Sequence, residues 1–139
     1  FGDERQNYSE ALQTYYNDGA PINWQENYIS AYATAHPWED WAETWAHYLH
    51  MMETLETAYY GGLRVEGNGS YLASMNFKEC PIGGQDFEHI LKNWITLTFN
   101  LNALNRCMGL EDAYPFKLNE TVKDKLRFIH RHVLEKVFK

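Results

Sequence analysis

The sequence predicts an all-α fold: a single compact domain of about five helices with one irregular, glycine-rich excursion. Three observations predict it. Apolar residues recur at helical spacing along most of the chain, cap-forming residues precede those stretches, and no convincing pair of strand segments occurs. The chain has 139 residues, of which 45% are apolar and 16% aromatic, which is enough to bury one modest core. We therefore expect residues 1–139 to form one helical unit.

Two helices are predicted before residue 36. The first begins at Asp3 or a neighbour and ends at Tyr15 or Tyr16, where Asn17-Asp18-Gly19 is a typical stop signal. The second follows the turn at Pro21 and runs from Trp24 to about Ala35. Its aromatic and small residues recur at helical spacing, namely Trp24, Tyr28, Ala31 and Tyr32.

The third helix is predicted from Pro37 to about Tyr60. Proline suits the first helical position, where its missing N–H costs nothing, and Gly61-Gly62 provides a stop. Residues 62–84 hold most of the glycines, so we expect an irregular excursion or at most a short hairpin there.

The last two helices are predicted from Asp86 to about Met108 and from Asn119 onward. Each carries an apolar stripe at helical spacing. The stripe of the fourth helix is Phe87, Ile90, Leu91, Trp94, Leu97, Leu101 and Leu104. The stripe of the fifth is Val122, Leu126, Ile129, Val133 and Val137.

Composition excludes several classes of partner. Nineteen acidic and twelve basic side chains give a formal net charge of −7, which repels phosphate backbones and anionic membrane surfaces. We therefore expect neither nucleic acid nor a membrane as a partner. Cys80 and Cys107 belong to no CxxC or Cys/His motif, so the sequence encodes neither a disulfide framework nor a zinc ribbon, and we expect reduced thiols and a cytoplasmic location.

The third helix carries a file of polar residues. On a helical wheel Glu39, Glu43, His47 and His50 fall within roughly 80° of one another. The opposite side is predicted to face the core, and its members are Trp38, Trp41, Trp45, Tyr48, Leu49, Met52, Leu55 and Tyr59.

Two interpretations of this polar file remain open. It could be the solvated side of an amphipathic helix, whose acidic start and histidine-bearing continuation suit the helix dipole. Alternatively, Glu and His side chains one turn apart could point at one metal ion. A hydrolytic zinc site needs three protein ligands and a general base, and the chain contains no HExxH motif. Most of a zinc hydrolase site would therefore lie outside these residues.

Several stretches resemble one known family. They are FGDER at residues 1–5, SAYATAHPWEDWAETWAHYLH at 30–50, TLETA at 54–58, and WITLTFNLNALNRCMGLEDAYPF followed by VKDKLRF. Together the chain resembles the C-terminal part of the bacterial "putative zinc-binding metallopeptidase" family, which is similar to the gluzincins. The resemblance implies a helical C-terminal subdomain of a zinc peptidase whose HExxH segment lies upstream, so we expect the chain to be a fragment of a longer protein.

The resemblance also implies roles for particular residues. Gluzincins take their third zinc ligand from a glutamate on a later helix, often followed four residues on by an acid. Glu39 would be that ligand, and Glu43 the carboxylate that orients a ligating histidine from the upstream segment. Tyr32 would donate its hydroxyl to the oxyanion, or would simply be a tyrosine packed at a helix end.

Three histidines are assigned lesser roles. We expect none of His36, His47 and His50 to bind the metal. His36 is interpreted as a turn residue beside Pro37 or a residue that lines the cleft, whereas His47 and His50 would line the cleft or hydrogen-bond Glu43. The implied partners are a peptide or protein substrate and the upstream HExxH-containing part of the same protein. Zinc is the expected cofactor of the intact protein, and we do not expect this chain alone to hold it or to be active. The alternative function is a non-catalytic helical binding or scaffolding domain that docks a basic partner on its acidic helix face.

Overall fold

The computed structural model describes residues 1–66, 74–75, 77, 79–81 and 86–137, with side chains described as far as residue 132. This part of the chain contains four α-helices, two short 3₁₀ turns and no β-strand, which confirms the all-α class. The helices are α1 (Tyr8–Asp18), α2 (Pro37–Tyr60), α3 (Phe87–Cys107) and α4 (Glu120–Val137).

Helix α1 begins later than the sequence predicted. Asn7 caps it through its side chain, whereas Asp3 accepts the backbone N–H of Arg5 at 3.1 Å in a separate turn. An Asp side chain that bonds the backbone two residues on favours a turn over a helix start. Helix α1 also continues to Asp18, beyond the predicted end at Tyr15 or Tyr16. Of the predicted stop residues, Gly19 follows the helix, with φ of +76°.

The helix predicted over residues 24–35 is wrong. The segment forms two 3₁₀ turns, Trp24–Glu26 and Tyr32–Thr34. Its polar groups are engaged elsewhere: Ser30 Oγ accepts the Ala33 N–H at 3.1 Å, and the Asn27 carbonyl accepts from Lys125 Nζ at 2.7 Å. These contacts compete with the i→i+4 bonds that a helix requires.

Helix α2 has the predicted bounds but not entirely the predicted buried face. Trp38 is 56% exposed and Trp41 39% exposed, although both were expected to face the core, whereas Asp40 and Thr44 are buried. The inward placement of Tyr48, Met52 and Leu55 is confirmed. The buried residues of α2 are Asp40, Thr44, His47, Tyr48, Met51, Met52, Leu55 and Ala58.

Helices α3 and α4 begin directly after Asp86 and Asn119, as predicted. The apolar stripe of α3 is buried from Phe87 to Leu97, but Leu101 and Leu104 at its far end are exposed. In α4 the predicted stripe is buried at its first three positions, which are Val122, Leu126 and Ile129. The side chains of Val133 and Val137 lie outside the described residues.

The glycine-rich excursion predicted at residues 62–84 is described only in part. Val65 and Met75 exchange two backbone hydrogen bonds of 3.0 and 2.9 Å and form an isolated antiparallel bridge. Met75 is fully buried. Most of the remaining residues of this predicted excursion lie outside the described part of the chain.

The chain divides into two compact units. The first comprises Phe1–Leu49 and Phe116–Val137, and so contains α1, the first half of α2 and α4. The second comprises His50–Pro115, and so contains the second half of α2 and α3. None of the described helices is both long and apolar enough to cross a membrane.

Candidate functional site

Glu39 and Glu43 lie on successive turns at the start of α2 and are both half-buried. Carboxylates four residues apart on a helix are neighbours, with Cβ atoms roughly 6 Å apart. Two like charges at this spacing repel each other, so the arrangement costs the isolated helix a few tenths of a kcal/mol. The site therefore concentrates negative charge in the first two turns of α2.

His36 sets the position at which α2 begins. Its Nδ1 accepts the backbone N–H of Trp38 at 3.0 Å, and its Nε2 lies 3.1 Å from the carbonyl oxygen of Gln6. Because Nδ1 accepts, Nε2 carries the proton and donates to Gln6. His36 is 2% exposed and is a buried cap at the turn before Pro37, and its predicted role as a cleft residue stays a prediction.

The Glu39 carboxylate is held by a hydroxyl group. Tyr8, the first residue of α1, donates its hydroxyl to Glu39 Oε1. The hydrogen bond to Glu39, together with burial and the negative charge of Glu39, raises the pKa of Tyr8. Tyr8 is therefore a neutral donor at physiological pH, and the charge of Glu39 is left uncompensated.

The Glu43 carboxylate is held in the same way. Ser30 donates its hydroxyl to Glu43 Oε2 at 2.8 Å, and the same oxygen of Ser30 accepts the backbone N–H of Ala33. Ser30 lies just before the 3₁₀ turn Tyr32–Thr34, and its hydroxyl therefore links this segment to Glu43. Among the described residues, neither Glu39 nor Glu43 forms an ion pair.

Tyr32 lies in a group of tyrosines beside Glu39. Its ring packs edge-on against Tyr15, with centroids 5.6 Å apart. Burial, a hydrogen bond with Tyr16 and the charge of Glu39 raise the pKa of Tyr32 to about 12. The hydroxyl of Tyr32 therefore stays protonated near neutral pH and can act as a hydrogen-bond donor.

Asp40, the acid next to Glu39 in the sequence, forms an ion pair with Lys125. Its Oδ2 lies 2.6 Å from Lys125 Nζ on α4, and its side chain is 1% exposed. Burial raises the pKa of Asp40, and the hydrogen bond and charge of Lys125 partly offset that effect. This buried pair explains why α2 turns Asp40 rather than Trp41 inward.

The other two predicted histidines follow the carboxylate pair along α2. His47 is 9% exposed, and its ring packs edge-on against Phe116 at 5.0 Å. His50 is exposed and belongs to the second unit. Their predicted role as cleft residues stays a prediction.

The two carboxylates could contribute to a zinc site, but the described residues do not provide a complete set of zinc ligands. Half-buried carboxylate oxygens without a cationic partner are suitable zinc ligands. However, no group of three or more His, Cys, Asp or Glu side chains in the described part of the chain could hold a metal ion. The residues present therefore fit as one carboxylate ligand with its neighbouring acid.

Sequence reasoning missed the two hydroxyl partners. Tyr8 lies 31 residues before Glu39, and Ser30 lies 13 residues before Glu43. Neither spacing is a local motif, so no signal in the sequence connects these pairs. The helical wheel placed the two acids on one face, and the resemblance to the family implied their roles.

Comparison with known proteins identifies the family. No solved structure matches this chain. Uncharacterized proteins of Mycobacterium tuberculosis and Mycobacterium bovis are each 44% identical to it over 135 residues. The alignment covers 97% of this chain and 38% of each relative, so the chain spans less than half the length of the proteins it matches. The family model described as "Putative zinc-binding metallo-peptidase" matches residues 1–132, and the chain therefore belongs to that family.

Proposed function

We propose that this chain supplies the carboxylate ligand of a zinc peptidase site, with Glu39 as that ligand. One observation carries the proposal: Glu39 and Glu43 are half-buried on adjacent turns, and their hydrogen-bond partners in the described residues are neutral hydroxyls. Buried carboxylates are normally paired with a cation. A divalent ion held jointly with an upstream HExxH segment would provide the missing charge.

Glu43 is assigned the role of orienting a ligating histidine. Ser30 occupies its Oε2, which leaves Oε1 to accept the second N–H of an imidazole from the upstream segment. Carboxylates that bind the outer nitrogen of a ligating histidine fix its tautomer and ring orientation. Glu43 would therefore strengthen zinc binding without contacting the metal.

Tyr32 is assigned the role of hydrogen-bond donor to the substrate. Its hydroxyl is protonated near neutral pH and lies close enough to Glu39 to sense that charge. It would donate to the peptide carbonyl oxygen as that oxygen gains negative charge, an interaction typically worth a few kcal/mol in the transition state. When bound, zinc would supply the water activation that peptide hydrolysis requires.

Zinc content tests the proposal in the extended protein that carries the upstream sequence. We expect about one zinc per chain in the unaltered protein and loss of zinc in Glu39→Gln, because three protein ligands are needed for a hydrolytic site. Glu43→Gln should weaken zinc binding by about 10-fold to 100-fold. The matched control is Glu53→Gln, an exposed acid on the same helix, which should leave zinc content unchanged.

Two further measurements separate the roles. Tyr32→Phe should keep zinc and lower kcat on an unfolded protein substrate by about 10²-fold to 10³-fold, whereas the isolated 139-residue chain should hold no zinc tightly. If Glu39→Gln retains zinc as well as the unaltered protein does, the zinc-ligand role is wrong. A docking face for a basic partner would then be the better interpretation of the acidic pair.

A further inference from the structure

The Tyr8 ring packs against two rings that adjoin each other at the start of α2. The ring packs edge-on against His36, with centroids 5.1 Å apart, and lies 5.4 Å from the ring of Trp38. These two residues form the first turn of α2, since His36 caps the helix and its Nδ1 accepts the Trp38 N–H. The start of α2 therefore determines where the Tyr8 hydroxyl points.

That hydroxyl determines how Glu39 is presented. It donates to Oε1 of Glu39, while Oε2 has no hydrogen-bond partner among the described residues. A carboxylate with one oxygen held by a fixed donor has fewer accessible rotamers than one held only by water. Glu39 is consequently prepared to offer a single oxygen in a defined direction.

We propose that Tyr8 is a positioning residue that holds Glu39 as a one-oxygen metal ligand. This inference rests on the proposed function, because it concerns the same carboxylate. Hydrogen-bond partners of metal ligands orient them and contribute to metal affinity, and their removal typically costs about 10-fold to 100-fold in affinity. Tyr8 touches neither metal nor substrate in this arrangement and acts through Glu39.

The test is the zinc affinity of the extended protein carrying Tyr8→Phe, measured by competition with a chromophoric chelator. Phenylalanine keeps the ring that packs on His36 and Trp38 and removes only the hydroxyl. We expect the zinc Kd to rise about 10-fold to 100-fold. The matched control is Tyr15→Phe, two turns along the same helix, where we expect a change of less than about twofold.

A double-mutant cycle shows whether Tyr8 acts through Glu39. In the Glu39→Gln background, Tyr8→Phe should leave the residual zinc affinity unchanged. The absorption spectrum of the cobalt-substituted protein adds a readout that a purely structural role would not alter, and Tyr8→Phe should change its intensity because the carboxylate geometry changes. Urea unfolding of the metal-free variants establishes that the compared proteins are folded.

The outcomes are distinguishable. If Glu39→Gln loses zinc but Tyr8→Phe binds zinc and gives the cobalt spectrum of the unaltered protein, the positioning role is overturned and the zinc-ligand role stands. If Tyr8→Phe weakens zinc binding equally with Glu39 present or replaced, Tyr8 does not act through Glu39, and the inference is wrong. If Glu39→Gln itself leaves zinc binding unchanged, both proposals fail.

Discussion

At the scale of single residues, the site depends on groups whose roles come from one or two hydrogen bonds. Tyr8 and Ser30 hold the two carboxylates, and His36 begins the helix that carries them. None of these three groups brings a net charge. The two carboxylates are therefore held in place by hydrogen bonds, but no cation neutralises their negative charge.

The cap formed by His36 leads to a stability prediction. His36→Ala should lower the free energy of unfolding by about 2–4 kcal/mol, because it removes a helix cap and empties a buried position. His36→Asn should recover about 1 kcal/mol of that loss, since an Asn side chain can still accept the Trp38 N–H. Urea unfolding at pH 7 measures both, and equal losses in the two variants would contradict the capping role.

Tyr48 gives a prediction for alkaline pH. Burial raises the pKa of Tyr48 to about 12, whereas an unfolded tyrosine titrates near pH 10. The folded state therefore favours the protonated phenol, so its contribution is complete below about pH 10 and is lost as pH rises toward 12, by roughly 2–3 kcal/mol in all. Urea unfolding at pH 9.5, 10.5 and 11.5 measures the slope.

A Tyr48→Phe variant measures how much of the decrease in the free energy of unfolding with rising pH is due to Tyr48. Tyr48→Phe should unfold with a smaller decline in stability over this range, because it has no proton to lose. Tyr16→Phe is the control, since Tyr16 is 67% exposed. A Tyr48→Phe protein with the full alkaline decline would show that other groups cause it.

At the scale of elements, α2 is held to α4 by a buried ion pair. Asp40 is 1% exposed and its Oδ2 pairs with the Lys125 ammonium group, whereas its Oδ1 has no hydrogen-bond partner in the described part of the chain. Lys125 has further contacts, since its Nζ also donates to the Asn27 carbonyl at 2.7 Å and lies 4.4 Å from the centroid of the Tyr28 ring. Asp40 therefore depends more on Lys125 for its stabilisation than Lys125 depends on Asp40.

This inequality predicts an asymmetric response to mutation. Lys125→Met should cost about 3–5 kcal/mol, because it leaves a buried carboxylate without a cation. Asp40→Asn should cost clearly less, because Lys125 keeps a carbonyl acceptor and an aromatic face. Urea unfolding of both variants at pH 7 measures the difference, and a larger loss in Asp40→Asn would contradict this account.

At the scale of the whole molecule, charge is the dominant property of the sequence. The formal net charge is −7, and two of the acids that contribute to it lie one turn apart in the carboxylate pair. A protein with this balance repels polyanions and attracts cations. The charge therefore agrees with a site that takes a metal ion and opposes one that takes nucleic acid.

A binding measurement tests this consequence. We expect no detectable association with a fluorescent duplex DNA or with vesicles that contain anionic lipid at about 0.15 M salt, because phosphate binding requires basic side chains that release counterions. Fluorescence anisotropy and vesicle co-sedimentation are suitable assays. Binding that weakens steeply with added salt would contradict the expectation.

Local signals in the sequence were sufficient to predict several helix boundaries. Pro37 and Gly61 bound α2, and Asp86 and Asn119 precede α3 and α4, because caps and stops act over one helical turn. The same local geometry placed the two acids of the candidate site on one helix face, but their roles were implied by the resemblance to the family. Family membership was also recognisable from the sequence, and it is confirmed by the family model.

Which helix faces are buried, and which distant side chains come into contact, depends on tertiary packing. Asp40 is buried because Lys125 on α4 neutralises its charge. Residues 24–35 do not form a helix, because Ser30 bonds Glu43 and the Asn27 carbonyl accepts a hydrogen bond from Lys125. Tyr8 reaches Glu39 across 31 residues. Such contacts depend on how separate elements pack, and periodicity within one element carries no information about the partner that another element will bring.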